Sequence, residues 1–314
     1  MKRLSRARSW LVLLASMGIS VGPLAPSVLA AEKIYHAQRL SQAQDSAQPQ
    51  SAVSPDVDKA ISEGIEFVRR GNTASAIESF KKAVSLDENS AAAHYNLGLA
   101  LRQDEQLQAA ATAFWNAVQA DNTFALAYVN LGVALLEGDN IEQAEAYLTR
   151  AVELEPQLGL AHYNMGLLLR RQGKLEEALA EFNRAIAFSP EAAEPHYHVG
   201  VLYQSSRQYA IAQQAFENAI ALDGNYAEAY YNLGVTLVRQ GKLTESIAQF
   251  NKAIEIAPGF GHAYYAQGLA LADLKRYNEA KAKLREASNV YVSQGQAQWA
   301  STAQSQIAYI ESLQ

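Results

Sequence analysis

Six histidines are the side chains of this chain best suited to metal binding or acid–base work. His94, His162 and His196 stand at multiples of 34 residues from one another. Tyr128, Tyr230 and Tyr264 fill the same slot elsewhere, and a slot shared with tyrosine is one used for packing. Equivalent positions on successive helix pairs also lie about 10 Å or more apart, too far for one metal ion with bonds near 2 Å. His196 and His198 are two residues apart and point to different faces of a helix. The carboxylates occur in runs such as Glu176-Glu177, which read as solvated helix surface. Neither a phosphate-binding loop, nor a strained serine turn, nor a His-Glu-x-x-His pair occurs. The sequence thus offers no catalytic residue, no metal ligands and no cofactor site.

A second slot is filled by amides. Asn96, Asn130, Asn164 and Asn232 recur in it, with Ser62, His198 and Ala266 in the remaining places. A side-chain amide has two N–H donors and a carbonyl acceptor, which matches the peptide group. A ladder of them can hold an extended peptide backbone without demanding a particular sequence. The same amides can instead satisfy groups of their own helices. Both readings stand at this point, and Asn96, Asn130 and Asn164 form the longest unbroken run.

The elements that carry these slots follow from a ruler of glycines. Gly64, Gly98, Gly132, Gly166, Gly200, Gly234 and Gly268 are each 34 residues apart. Twelve residues after each comes a small residue (Ala76, Ala110, Ala144, Ala178, Ala212, Ser246, Ala280). Four further on comes a large apolar one (Phe80, Phe114, Leu148, Phe182, Phe216, Phe250, Leu284). Small and large residues at steps of three and four mark one face of a helix. Each unit therefore reads as helix A, a short turn and helix B. Glycine inside a helix costs about 0.5–1 kcal/mol against alanine, so its recurrence points to close helix contact. Gly71, Gly173 and Gly241, with Asp139 in the same place, mark the A–B turn, and Pro156, Pro190 and Pro258 end helix B. The units run 57–90, 91–124, 125–158, 159–192, 193–226, 227–260 and 261–294.

A fixed period of this length is the signature of a helical repeat stack. The pattern, with stretches such as Tyr163-Asn164-Met165-Gly166 and Gly173-Lys174-Leu175-Glu176-Glu177-Ala178, resembles the tetratricopeptide-repeat (TPR) family over residues 57–294. The expected fold class is all-α: a right-handed superhelical solenoid with a C-terminal capping helix. The first unit departs most, with Ala60 in place of an aromatic and Glu63 before the glycine. The resemblance implies a concave groove lined by A helices that binds a peptide segment or helix of a protein partner. It points to Asn96, Asn130, Asn164, Asn232, Tyr95, Tyr163, Tyr231, Arg102, Arg170 and Arg171 as groove residues. The arginines would pair with acidic side chains of the partner. The clamp that some family members use for a chaperone's C-terminal carboxylate is absent: Ile61 and Ile65 replace its Lys and Asn.

Beyond the repeats, Trp299, Ala303, Ile307, Ile310 and Leu313 fall at steps of three and four in 295–314, as in an amphipathic capping helix. At the other end, Lys2, Arg3, Arg6 and Arg8 precede an apolar run from Trp10 to Val21, and Val28-Leu29-Ala30 ends it. This is the pattern of a secretory signal peptide cut after Ala30; retention as a membrane anchor through 10–29 is the alternative. Residues 31–56 are rich in Gln, Ser and Ala and read as a flexible linker. The chain has no cysteine and a net charge of −6, which becomes −10 once the four basic residues of the signal are removed. Such acidity argues against nucleic acid as a partner. The expectation is a non-catalytic scaffold in the periplasm, a thylakoid lumen or the medium, serving assembly or transport of an envelope complex. A rival is an accessory subunit of an enzyme or secretion complex that docks through its convex face or ends. In style the chain resembles secreted bacterial, including cyanobacterial, TPR proteins.

Overall fold

The computed structural model describes residues 55–314. The expected signal segment 1–30 and the linker up to residue 54 lie outside the described residues. Fifteen consecutive helices, and among the described residues no strand, make up the fold. In chain order they are α1 Pro55–Arg69, α2 Thr73–Leu86, α3 Ala91–Gln103, α4 Leu107–Ala120, α5 Ala125–Glu137, α6 Ile141–Leu154, α7 Gly159–Arg171 and α8 Leu175–Phe188. There follow α9 Ala193–Ser205, α10 Tyr209–Leu222, α11 Ala227–Arg239, α12 Leu243–Ile256, α13 Gly261–Asp273, α14 Tyr277–Ser293 and α15 Ala297–Glu311. Odd numbers up to α13 are A helices, and even numbers are B helices. Two compact units result, residues 55–190 (α1–α8) and 191–314 (α9–α15), divided between the fourth and fifth repeats.

The glycine ruler has a direct steric cause. A Cβ placed on Gly98 or Gly166 would lie 2.6 Å from the ring of Phe114 or Phe182, on the B helix of the same pair. In the other unit, a Cβ on Gly234 would stand 2.5 Å from Phe250. The ring occupies the space that any side chain would need, so the A helix can approach only without one. Phe114, Phe182, Phe216 and Phe250 are fully buried as a result, each worth about 1.5–3 kcal/mol of removed apolar surface.

A second ruler lies in the A–B turns. Positive φ occurs at Gly71, Glu105, Asp139, Gly173, Arg207, Gly241 and Lys275, again 34 residues apart, with φ from 59° at Glu105 to 80° at Gly241. After each, the next amide donates back to a carbonyl five residues earlier, as in Lys174 N–H to Leu169 O at 2.9 Å. This left-handed ending satisfies carbonyls that the A helix leaves unpaired. The other set of turns, from B to A, is stapled in two places by histidine: His94 Nε2 lies 2.9 Å from Glu88 O, and His162 Nε2 lies 2.9 Å from Pro156 O.

Within 55–190, neighbouring A helices touch, as α1 with α3 and α5 with α7. The same holds within 191–314 for α9 with α11 and α11 with α13. The A helices are thus the crowded, inner side of each unit. At the far end, α15 covers α13 and α14 with Ala300, Ala303 and Ile310 in their core, while Leu313 lies past the end of the helix and is exposed.

Candidate inner-face binding site

Every side chain named as a groove residue sits on an A helix, yet most are drawn into the stack rather than into the groove. Asn96, Asn130, Asn164 and Asn232 are only 5, 0, 2 and 5 % exposed. Each amide N–H bonds the carbonyl one turn earlier on its own helix: Ala92, Leu126, Leu160 and Glu228, at 2.8 to 3.1 Å. Two of them also cross to the preceding repeat. Asn130 Nδ2 lies 3.2 Å from the Tyr95 hydroxyl, and Asn232 Nδ2 lies 3.2 Å from that of Tyr197. Asn130 Oδ1 in turn accepts from Arg102 Nη1 at 2.7 Å. Asn130 is therefore a buried inter-repeat link with no surface to offer a peptide. Of the two readings of the ladder, local satisfaction is what these bonds realise.

The tyrosines are core as well, which corrects their expected place as groove walls. Tyr95 stands between Phe114, 5.8 Å away by ring centroids, and Phe124, 4.8 Å away. Tyr231 repeats this with Phe250 at 6.0 Å and Phe260 at 5.0 Å. Tyr163 packs on Phe182 at 6.1 Å. All three tyrosines are buried. The rings of Tyr95 and Tyr231 seal the space between a repeat's own B helix and the aromatic that leads into the next repeat. Burial also raises the hydroxyl pKa of Tyr231, with a further push from neighbouring Tyr197.

The arginines divide three ways. Arg102 is buried and spent on Asn130. Arg171 reaches back to the preceding repeat, donating from Nη1 to Leu136 O and from Nη2 to Asp139 Oδ1, both at 2.7 Å. It thereby ties down the end of α5 and its left-handed turn residue. Arg170 is different: it is half-buried, and its Nε is buried with no hydrogen-bond partner among the described residues.

What the inner face does leave open is an aliphatic row that the amide pattern did not single out. Ile65, Leu99 and Leu167 are half-exposed, as are Val68 and Leu136 one turn on. Tyr163, Leu167 and Arg170 follow one another at helical steps of four and three, so Arg170 lies at the end of the Leu167 stripe. The signal for the row was present in the sequence, as an apolar residue directly after each ruler glycine. Its exposure was not. In 191–314 the corresponding Val235 and Leu269 are buried, and only Val201 stays half-open.

Among the described residues no three His, Cys, Asp or Glu side chains come together as metal ligands. His162, the most polar of the buried histidines, has Nδ1 2.6 Å from Glu181 Oε2 and Nε2 on the Pro156 carbonyl; it is held as a structural group.

The repeat pattern is matched by three family models. A tetratricopeptide-repeat model covers residues 200–259, a TPR-repeat model 64–104 and 166–206, and a further tetratricopeptide-repeat model 125–158 and 261–297. The chain belongs to the tetratricopeptide-repeat family. Its fold is the all-α solenoid of TPR proteins, which is a scaffold for protein–protein interaction. Among solved structures it is similar to YrrB, described as a TPR protein with an unusual peptide-binding site, at 26% identity and TM-score 0.51, over 62% of this chain and 99% of that one. It also resembles PilF of Pseudomonas aeruginosa, at 21% identity and TM-score 0.61, over 68% of this chain and 97% of PilF. A third likeness is to the Cut9–Hcn1 hetero-tetramer of the APC/C, at 18% identity and TM-score 0.64, over 83% of this chain and 51% of that one. The last two show the fold alone. No curated protein matches the chain.

Proposed function

We propose that this TPR protein is a non-catalytic scaffold whose inner face binds a peptide segment or helix of partner proteins, in the assembly or transport of an envelope complex. The observation that carries the reading is the aliphatic row Ile65, Leu99 and Leu167, which the A helices leave half-buried. Apolar surface left partly uncovered on the A helices is what an extended or helical segment needs to dock. The likeness to YrrB, itself described as having a peptide-binding site, supports the same reading. The asparagines take part by fixing the A helices in register rather than by touching the guest.

Export rests on residues 1–30, with the basic start and apolar run described above. No helix among the described residues is long and apolar enough to cross a membrane. Sequencing the N-terminus of the protein from its own host tests this: a chain beginning at Ala31 supports export, and an intact membrane-bound chain supports the anchored alternative.

The binding reading is tested by crosslinked pull-down from the same host with wild type and a Leu99→Asp/Leu167→Asp variant. Loss of a partner in the variant, with helicity unchanged, is the expected result. A rival reading has one observation in its favour: Trp115, on B helix α4, is 46% exposed. If Trp115→Ala abolishes capture and the inner-face pair does not, the protein docks through its outer face as an accessory subunit.

A further inference from the structure

Among the seven B helices, α4 is unlike the rest. On every B helix the same four positions are exposed and form its outermost stripe. On α4 these are Gln108, Thr112, Trp115 and Gln119. Each of the other six stripes holds a charged residue, as with Lys81, Glu142, Glu176, Glu217, Glu255 and Arg285. α4 holds none, in the stripe or anywhere from Leu107 to Ala120. Its stripe is also the only one of the seven with an aromatic residue. Trp115 is 46% exposed, while the core beneath is filled by the fully buried Phe114. The B helices on either side are charged in opposite senses. α2 carries Lys81 and Lys82 against Glu78, and α6 carries Glu142, Glu145 and Glu153 against Arg150.

We propose that the outer stripe of α4 is the contact between two copies of this chain, an isologous pair centred on Trp115. The proposal is independent of the groove reading. Each copy is acidic, with a net charge of −6, so two copies repel unless a contact avoids their charges. An isologous contact sets a surface against itself, and any other outer stripe would then meet its own charges. The α4 stripe has none to oppose, and an exposed tryptophan is the kind of anchor that a contact buries. Charge also selects the orientation. With the two-fold axis along α4, the paired helices run parallel and α2 of one copy faces α6 of the other. The α2 lysines then meet the α6 glutamates. With the axis across α4, α2 faces α2 and α6 faces α6, and like charges meet. The first arrangement is the one proposed, because rim charges set orientation more than affinity. One helical row with its rim is a small interface, so the dimer is weak and concentration-dependent.

The test is sedimentation velocity of the pure full chain over about a hundredfold range of concentration, since association follows mass action. Wild type is expected to shift from monomer toward dimer as concentration rises. Trp115→Ala should weaken association by about tenfold, or about 1.4 kcal/mol, with helicity unchanged because the ring lies outside the core. Lys81→Glu/Lys82→Glu should weaken it several-fold, and adding Glu142→Lys/Glu153→Lys to that variant should restore it. Wild type that stays monomeric throughout, or that associates as strongly after Trp115→Ala, overturns the proposal. A monomeric wild type whose captured partner is lost in Trp115→Ala also overturns it, and gives the stripe to a different protein. A lysine-to-glutamate pair that changes nothing, or a reversed set that fails to restore association, overturns the parallel orientation.

Discussion

The two units use one ruler and end with different inner faces. In 55–190 the aliphatic row is half-open at three of four repeats, and α3 and α7 carry arginines. In 191–314 the row is mostly closed at Val235, Val238 and Leu269, and the A helices carry Glu194, Glu228 and Asp273 against Arg239. Their overall balances differ too, 11 basic to 19 acidic residues against 9 to 11. Yet the packing beneath is the same, glycine against ring and tyrosine between aromatics. The lesson is that the period fixes how helices meet, while the residues left over from packing decide what each stretch can bind.

The most severe way to break this comparison is to empty one core pocket in each unit. Phe182→Ala in 55–190 and Phe250→Ala in 191–314 should each cost about 3–5 kcal/mol, for the lost ring and the cavity left behind. Because repeats lean mainly on their neighbours, hydrogen exchange should rise chiefly in the unit that carries the change. Equal loss of protection in both units after either substitution would show that they unfold as one body.

The asparagine slot separates the repeats on a finer scale. Where the preceding repeat supplies a tyrosine, as for Asn130 and Asn232, the amide bridges two helices. For Asn96 and Asn164 the same slot one repeat earlier holds Ile61 and Val129, which offer no hydroxyl. Asn130→Ala, which also strips Arg102 of its acceptor, should cost about 2–3 kcal/mol, since buried partners are left unpaired. Asn96→Ala and Asn164→Ala should each cost about 1 kcal/mol. A Tyr95→Phe/Asn130→Ala double-mutant cycle read by urea melts should show coupling; additivity would mean the bridge is absent in solution.

Much of this was legible from the sequence, and the failures have a common cause. The glycine period gave the helix pairs because a missing Cβ is a residue-level requirement. The groove tyrosines were misplaced because helical position tells direction but not depth: Phe124 and Phe260, from the turns that follow, close over Tyr95 and Tyr231. Arg171 looked like a free cation because its partners, Leu136 O and Asp139, are 35 and 32 residues away. The left-handed turns at Glu105, Arg207 and Lys275 carried no residue signal at all, since none of these is a usual turn former.

A pH effect should distinguish the end of 191–314. His262 lies among Phe260, Tyr291 and Trp299, and its Nδ1 is 2.7 Å from the Tyr291 hydroxyl. In that arrangement the tyrosine O–H donates to a neutral imidazole. Burial lowers the His262 pKa below 6.5, so the unfolded chain binds a proton that the folded one refuses. Stability is therefore full above pH 6.5 and falls as pH drops through 6.5 toward the lowered folded value. His196 shifts the same way, also by burial. Asp273, raised by burial, works in the opposite sense nearer its own ordinary range. His262→Gln keeps an acceptor for Tyr291 and cannot titrate. Its melting temperature should fall less than that of wild type between pH 7.5 and 5.5, and an unchanged slope would assign the effect elsewhere.

The smallest expected effects lie in the A–B turns, and their sign is a gain. Glu105, Arg207 and Lys275 hold φ of 59°, 62° and 60°, where a side chain is strained and glycine is not. Replacing Arg207 or Lys275 by glycine should stabilise by up to about 1 kcal/mol, less the entropy that glycine adds to the unfolded chain. Asp139 has φ 64° and shares the strain, but its carboxylate also holds Arg171 at 2.7 Å. That exposed pair is worth about 0.2–1 kcal/mol, so Asp139→Gly should gain little or nothing. Thermal melts of the two glycine variants settle whether residue 139 is a strained turn tolerated by the fold or a turn kept for its grip on α7. If Asp139→Gly gains as much as Arg207→Gly, the Arg171–Asp139 bridge adds nothing to the 55–190 unit, and Arg171 is held by Leu136 O alone.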